Sequence, residues 1–202
     1  MTKKILLLST LFFLGLSTYS DNTPCNLTDK GVLINGIRWA TRNVDAPGTF
    51  AKTPESPGMF FQWNRRKGWN AVDEEVEGWD RRNRTRVTEW EKENDPCPEG
   101  WRIPTSSELH SLHNVPNEWT TLNGMNGQLL GTYPNQIFLS AVGWRTALRR
   151  GVLIEANTSS FYWSNTRFGR NITRLHISSF GAFVGFRGGS RTFGHNIRCV
   201  AN

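Results

Sequence analysis

Asp95-Pro96-Cys97-Pro98-Glu99-Gly100-Trp101-Arg102-Ile103-Pro104-Thr105-Ser106-Ser107-Glu108 is the stretch on which the reading of this chain turns. Thr105 and Glu108 have capping-box spacing: the hydroxyl accepts from the Glu108 amide while the carboxylate reaches back to the Thr105 amide. Pro104 keeps the approach extended. A short helix is therefore expected over 108–113, with Leu109 and Leu112 on one face and Val115-Pro116-Asn117 ending it. Glu118-Trp119-Thr120 is read as the start of a second short turn. Trp101 should pack inward, and Arg102 and Glu108 are able to pair.

The partner of this stretch is the far end, Asn196-Ile197-Arg198-Cys199-Val200. Three cysteines in an exported chain suggest one disulfide and one left over. Cys97 and Cys199 lie in the most structured segments, whereas Cys25 lies in a polar amino-terminal stretch. A Cys97–Cys199 bond would close a loop of about 100 residues and contribute about 4 to 5 kcal/mol in the chain-entropy model. The alternative is a pair of buried free thiols. Zinc is not expected, because no Cys or His near either cysteine has zinc-ligand spacing.

Export is read from the first residues. Lys3 and Lys4 precede the apolar run from Ile5 to Leu16, and small residues Thr18 and Ser20 follow, the pattern of a signal peptide over residues 1–20. That run is too short to span a bilayer, which needs roughly 20 residues. Cys25 does not follow a small apolar triplet, so no lipid attachment is expected there. Loss of the two lysines lowers the net charge from +7 to about +5. Arginine far outnumbers lysine in the remainder, which favours bidentate pairing and stacking on aromatic rings. Such a balance serves either an ion-paired surface or attraction to an acidic polymer. Nine Trp and twelve Phe are enough for a large core with aromatics to spare.

Residues 21–30 are read as a flexible lead-in, followed by one domain over 31–202. Val32-Leu33-Ile34-Asn35-Gly36-Ile37-Arg38-Trp39 predicts a hairpin, because Asn-Gly is the preferred pair for a type I′ turn. Residues 59–63 are read as a short apolar run returning to the core, and strands are expected over 128–133, 136–142, 151–154, 172–177, 180–186 and 195–200, with the aromatic run 161–166 between the third and fourth. Residues 144–150 are read as a basic connector and 188–190 as a turn.

Residues 64–94 differ in character. Blocks of basic and acidic residues alternate, with Trp69, Trp79 and Trp90 spaced between them and little apolar periodicity. This predicts a long charged excursion over the surface. Trp69, Trp79, Trp90, Arg82 and Arg84 are the candidate ligand contacts. The competing role for the tryptophans is to pin an irregular loop, which long ordered loops need.

Five ordered motifs carry a resemblance: Val32 to Trp39 with Thr41-Arg42-Asn43; Cys97 to Thr105 with Glu108; Phe138-Leu139-Ser140-Ala141-Val142-Gly143; Tyr162-Trp163-Ser164-Asn165-Thr166; and Asn196 to Val200. Together they resemble the Fibrobacter succinogenes major paralogous domain, common in exported proteins of Bacteroidota, over roughly residues 31–201. The resemblance implies an exported, surface-associated, non-catalytic domain, with Trp101, Arg102, Pro104, Thr105, Glu108 and Trp163 as structural motif residues. The Arg-x-Pro-Thr-x-x-Glu segment also echoes formylglycine-generating sulfatase modifiers, whose fold is C-type-lectin-like. An α+β domain of that kind is therefore expected: a twisted antiparallel sheet joining the chain ends, one or two short helices and long loops.

No catalytic constellation emerges. His110 and His113, three residues apart on a helix, could join Glu108 at a metal, but no third strong ligand is evident. His176 and His195 are read as surface or hydrogen-bonded residues. Asp73-Glu74-Glu75 is a solvated run rather than an acid–base pair. No metal or other cofactor is expected. The expected function is a non-catalytic exported binding module of the cell envelope or surface, contacting glycan or another surface protein. A structural or adhesive role in a surface assembly comes second, and a sulfatase-modifier-like enzyme third. Nucleic acid is not an expected partner.

Overall fold

A computed structural model describes residues 28–148, 150–185 and 189–202. The leader over 1–20, Cys25 and most of the lead-in lie outside the described residues. Where the lead-in is described it is fixed. The Asp29 carboxylate accepts from the amides of Gly31 and Thr41, the Thr41 hydroxyl and Arg42 Nε.

The architecture is a set of small antiparallel sheets with one short helix, rather than the single twisted sheet expected. In chain order the elements are β1 (Val32–Ile34), β2 (Ile37–Trp39), β3 (Phe60–Gln62), β4 (Gly68–Trp69), β5 (Trp101–Arg102), α1 (Ser106–Ser111), β6 (Asn117–Leu122), β7 (Met125–Thr132), β8 (Asn135–Ser140), β9 (Trp144–Arg145), β10 (Leu153–Ile154), β11 (Ser159–Phe168), β12 (Asn171–Ser178), β13 (Gly181–Gly185), β14 (Gly194–His195) and β15 (Val200–Ala201). The sheets have strand orders β1-β2-β15-β5, β10-β9-β14-β3-β4, β11-β12-β13 and β6-β7-β8. The strands of the first two sheets are two or three residues long, and the longer strands, five to ten residues, are gathered in the two three-stranded sheets.

The Asn35-Gly36 hairpin is present, with φ of 50° and 77°, and Val32 pairs with Trp39 across it. Trp39 then pairs with Val200, which pairs with Arg102. The first hairpin, the far end and the Cys97 stretch thus share one sheet, and the Cys97–Cys199 disulfide fastens it. The expected closing strand over 195–200 is two strands in different sheets. The bridging Asn196-Ile197-Arg198-Cys199 run is buried throughout and carries the chain from one sheet to the other. The presumed turn over 118–120 is instead part of β6, and Asn123-Gly124, at φ 49° and 84°, is a second tight hairpin joining β6 to β7.

The helix is one short element, Ser106–Ser111, capped as anticipated. Thr105 Oγ1 accepts from the Glu108 amide at 3.2 Å, and Glu108 Oε2 accepts from the Thr105 amide at 2.7 Å. The same carboxylate takes a bidentate contact from Arg102, Nη1 to Oε2 at 2.8 Å and Nη2 to Oε1 at 2.6 Å. That guanidinium, followed by burial and the cap amide acting in opposite senses, leaves the Glu108 carboxyl below its ordinary value of 4.5. A depressed carboxyl contributes stability above its unfolded value, and this is lost as pH falls below it. The expected outcome is a melting temperature that declines on acidification below about pH 4.5 and declines less steeply in Glu108→Gln, measured by circular dichroism.

Three apolar clusters fill the interior. One gathers Trp39, Leu109, Leu130, Ile137, Leu139, Tyr162, Leu175 and Ile177. A second surrounds the disulfide with Trp63, Trp163, Ile103 and Ile197. A third joins Phe60, Trp69, Trp79 and Val142. Trp63 and Trp163 are wholly buried and donate reciprocally, Trp63 Nε1 to the Ser164 carbonyl and Trp163 Nε1 to the Phe61 carbonyl, 3.1 and 2.7 Å. Among the described residues no helix is long and apolar enough to cross a membrane.

Candidate functional site

The charged excursion is an ordered mount. Trp69, Trp79 and Trp90 are 6%, 8% and 8% exposed, so their indole faces are not offered to a ligand as the sequence allowed. Trp69 and Trp79 pack on each other at 5.1 Å. Trp90 packs on Trp63, its Nε1 donating to the Asn94 carbonyl. The physical reason is area: an irregular segment with few apolar residues gains most of its burial from large rings. The Trp79 indole packs closely against bare backbone, since a Cβ built on Gly151 or Gly194 would come within 2.5 or 2.7 Å of it.

Polar anchors complete the mount. Arg145, expected in a basic connector, is fully buried on β9. Its guanidinium donates to the carbonyls of Asn70 (2.7 Å), Asp73 (2.8 Å) and Gly151 (2.7 Å). Burial draws its pKa below the ordinary arginine value, with Asp73 partly opposing. Asn83 Nδ2 donates to the Trp63 and Arg191 carbonyls, and Gln62 Nε2 to the Asp80 carbonyl at 2.6 Å.

On this mount Arg81, Arg82, Arg84 and Arg86 are exposed. Thr85 turns inward, its hydroxyl accepting from Asn64 Nδ2, which leaves its neighbours facing out. From the other side of the chain come Arg167, on β11, and Arg191. Both donate Nη1 to the one Thr85 carbonyl, and Arg167 Nη2 donates to the Arg86 carbonyl at 3.0 Å. Arg167 Nε is buried without a hydrogen-bond partner. Burial, and then the neighbouring Arg167 charge, lowers the Arg191 pKa. Among the described residues none of these six guanidinium groups is in a salt bridge; the nearby Asp80 is engaged by Arg65. The result is an arginine ridge containing both arginine candidates, Arg82 and Arg84. Arg167 and Arg191 were missed because they lie far off in sequence.

A second constellation lies on the β11-β12-β13 sheet. Phe161, His176 and Phe183 stand opposite one another across three strands. Phe161 stacks on His176 at 4.4 Å, and Arg174 Cζ lies 4.0 Å from its ring centroid. Arg174 Nη1 meets His195 Nε2 at 3.0 Å. An arginine only donates, so Nε2 accepts and the ring proton sits on Nδ1. Burial first, and the Arg174 charge second, hold the His195 pKa well below 6.5; burial lowers Arg174 to about 10. This is a neutral histidine locked in an aromatic box, not a poised acid or base.

The remaining candidates do not converge on a reaction centre. Glu108 is committed to Arg102 and the cap, and His110 Nδ1 lies 2.7 Å from the Ser106 carbonyl, so neither is arranged with His113 around a cation. Among the described residues no group of three or more His, Cys, Asp or Glu could hold a metal. A shallow depression of about 470 Å³ between α1 and β11 is lined by Thr105, Ser106, Ser107, His110, Thr166 and Phe168. Pro104 is buried, and its carbonyl accepts from the Asn165 amide at 2.8 Å; Trp101 meets Phe50 edge-on at 5.5 Å. The motif residues thus occupy packing and hydrogen-bonding roles.

No family model, no curated protein and no solved structure matches the chain.

Proposed function

We propose that the chain is an exported, non-catalytic binding module of the cell envelope or surface, of the Fibrobacter succinogenes major paralogous kind with a C-type-lectin-like fold, and that its ligand is a glycan or another surface protein. The observation that carries this reading is the arginine ridge: four exposed cationic side chains stand on a segment fixed by buried tryptophans and Arg145, two more guanidinium groups meet its backbone at Thr85, and among the described residues none of the six is in a salt bridge. A fixed backbone presenting unneutralised charge suits recognition, since the ordering cost of binding then falls on the arginine side chains and not on the loop. It also raises the encounter rate with anionic partners.

The test is a glycan array and a surface-extract pull-down with the oxidised protein, beside an Arg82→Glu/Arg84→Glu variant. Binding of the wild type should fall at least about tenfold in the variant, because two exposed charges are inverted at the contact. Melting temperature should change little, as both side chains are exposed and unpaired. Capture that is indifferent to these two residues would move the contact elsewhere on the molecule.

A further inference from the structure

The geometry points to an oxyanion subsite between Arg167 and Arg191, and to an anionic polysaccharide, carrying carboxylate or sulfate groups, as the polymer that occupies the ridge. This rests on the binding-module reading above and names its ligand class. Two guanidinium groups from distant parts of the chain donate to the single Thr85 carbonyl. One carbonyl dipole does not neutralise two full charges. Each planar fork carries five donors, and the contacts to Thr85 and Arg86 use only some of them. Like charges this close repel, and burial first and the Arg167 charge second lower the Arg191 pKa. An oxyanion placed between the forks would accept from both at once and remove that repulsion, the charge-assisted arrangement that arginine favours.

Arg84 and Arg86 flank Thr85 in sequence and are exposed, as are Arg81 and Arg82 just before them. A row of cations beside a paired subsite matches a polymer with repeated negative charges rather than a single small anion. The tryptophans of the excursion are buried, so they do not supply the row of stacking rings that single-stranded nucleic acids use. A polysaccharide whose charges lie on its rings requires no such platform.

The full chain, expressed with its own leader and purified in the disulfide-bonded form, would be titrated by calorimetry against heparin, polygalacturonate, neutral dextran and single-stranded DNA. Binding to one or both acidic polysaccharides, weakening from roughly 0.05 M to roughly 0.5 M salt as screening increases, with none to dextran, is expected. The two acidic polymers distinguish sulfate from carboxylate as the bound group. Arg167→Gln and Arg191→Gln should each weaken binding about tenfold through loss of a charge-assisted contact, and Arg191→Lys should recover part of it. Arg38→Gln, an equal loss of charge on the β1-β2 hairpin, should leave affinity within about twofold, since a distant charge is screened. Equal losses from Arg38→Gln and Arg191→Gln would reduce the effect to net charge and overturn the subsite. DNA binding tighter than either polysaccharide would overturn the ligand class. Capture of a surface protein, with no polysaccharide bound, would overturn this inference and leave the binding-module reading standing. No capture of any partner would remove both.

Discussion

Replacing Cys97 and Cys199 together by serine lowers the melting temperature by roughly 10 to 20 °C, the expected outcome of reopening a loop of this length in a chain of this size. The two cysteines are 102 positions apart, so the oxidised unfolded chain is deprived of much of its freedom. The corresponding loss of stability is about 4 to 5 kcal/mol. Both sulfurs sit within the cluster that contains Trp63, Trp163 and Ile197, and two hydroxyls placed there add a desolvation cost. Scanning calorimetry of the double variant beside the wild type gives the measurement. A shift of only a few degrees would mean that the β2-β15-β5 pairing holds the ends together unaided.

Arg198→Met is expected to cost about 3 to 5 kcal/mol, read as a lower midpoint in urea unfolding, because it strands several buried acceptors at once. Arg198 is 1% exposed. Its Nη2 donates to Asn43 Oδ1 at 2.7 Å and to the Phe138 carbonyl at 3.0 Å, and its Nη1 to the Ala40 carbonyl at 3.2 Å. These acceptors come from the segment after β2 and from β8, so one side chain ties the first hairpin, a central sheet and the far end together. Burial lowers its pKa, with the Tyr162 phenol and Asp29 working against that. Methionine preserves much of the volume and none of the donors, which isolates the polar contribution. A near-neutral result would show that water reaches Asn43 and the two carbonyls once the guanidinium is gone.

The hairpin at Asn35-Gly36, the capping box and the meeting of Cys97 with Cys199 were legible because each depends on a short local signal or on a small set of possible pairings. Where the sequence misled, the cause was physical. Asn117-Glu118-Trp119-Thr120-Thr121-Leu122 lacks strict apolar alternation because every residue of that strand is exposed or half-buried, and its neighbour supplies the pairing. Two-residue strands such as Trp144-Arg145 are too short to establish a period. Arg145 was read as part of a basic connector and Arg198 only as a member of the closing strand, since nothing nearby in sequence announces the carbonyls that surround them. The ridge was half legible: Arg82 and Arg84 stood out in a basic block, whereas Arg167 and Arg191 joined it only through tertiary placement. The tryptophans were ambiguous between anchor and contact, and their burial assigns them to the anchor role.

The slot that receives Trp79 constrains how this molecule can change over evolutionary time. Two of its walls are the α-carbons of Gly151, at φ 64°, and Gly194. A larger residue at either glycine would collide with the indole, while a smaller residue at 79 would leave a void between them. The three positions therefore form a lock in which no member drifts alone. In any set of descendants that keeps the ridge, they should be retained or exchanged as a unit, so covariation among 79, 151 and 194 would mark the chains that still carry the same mount.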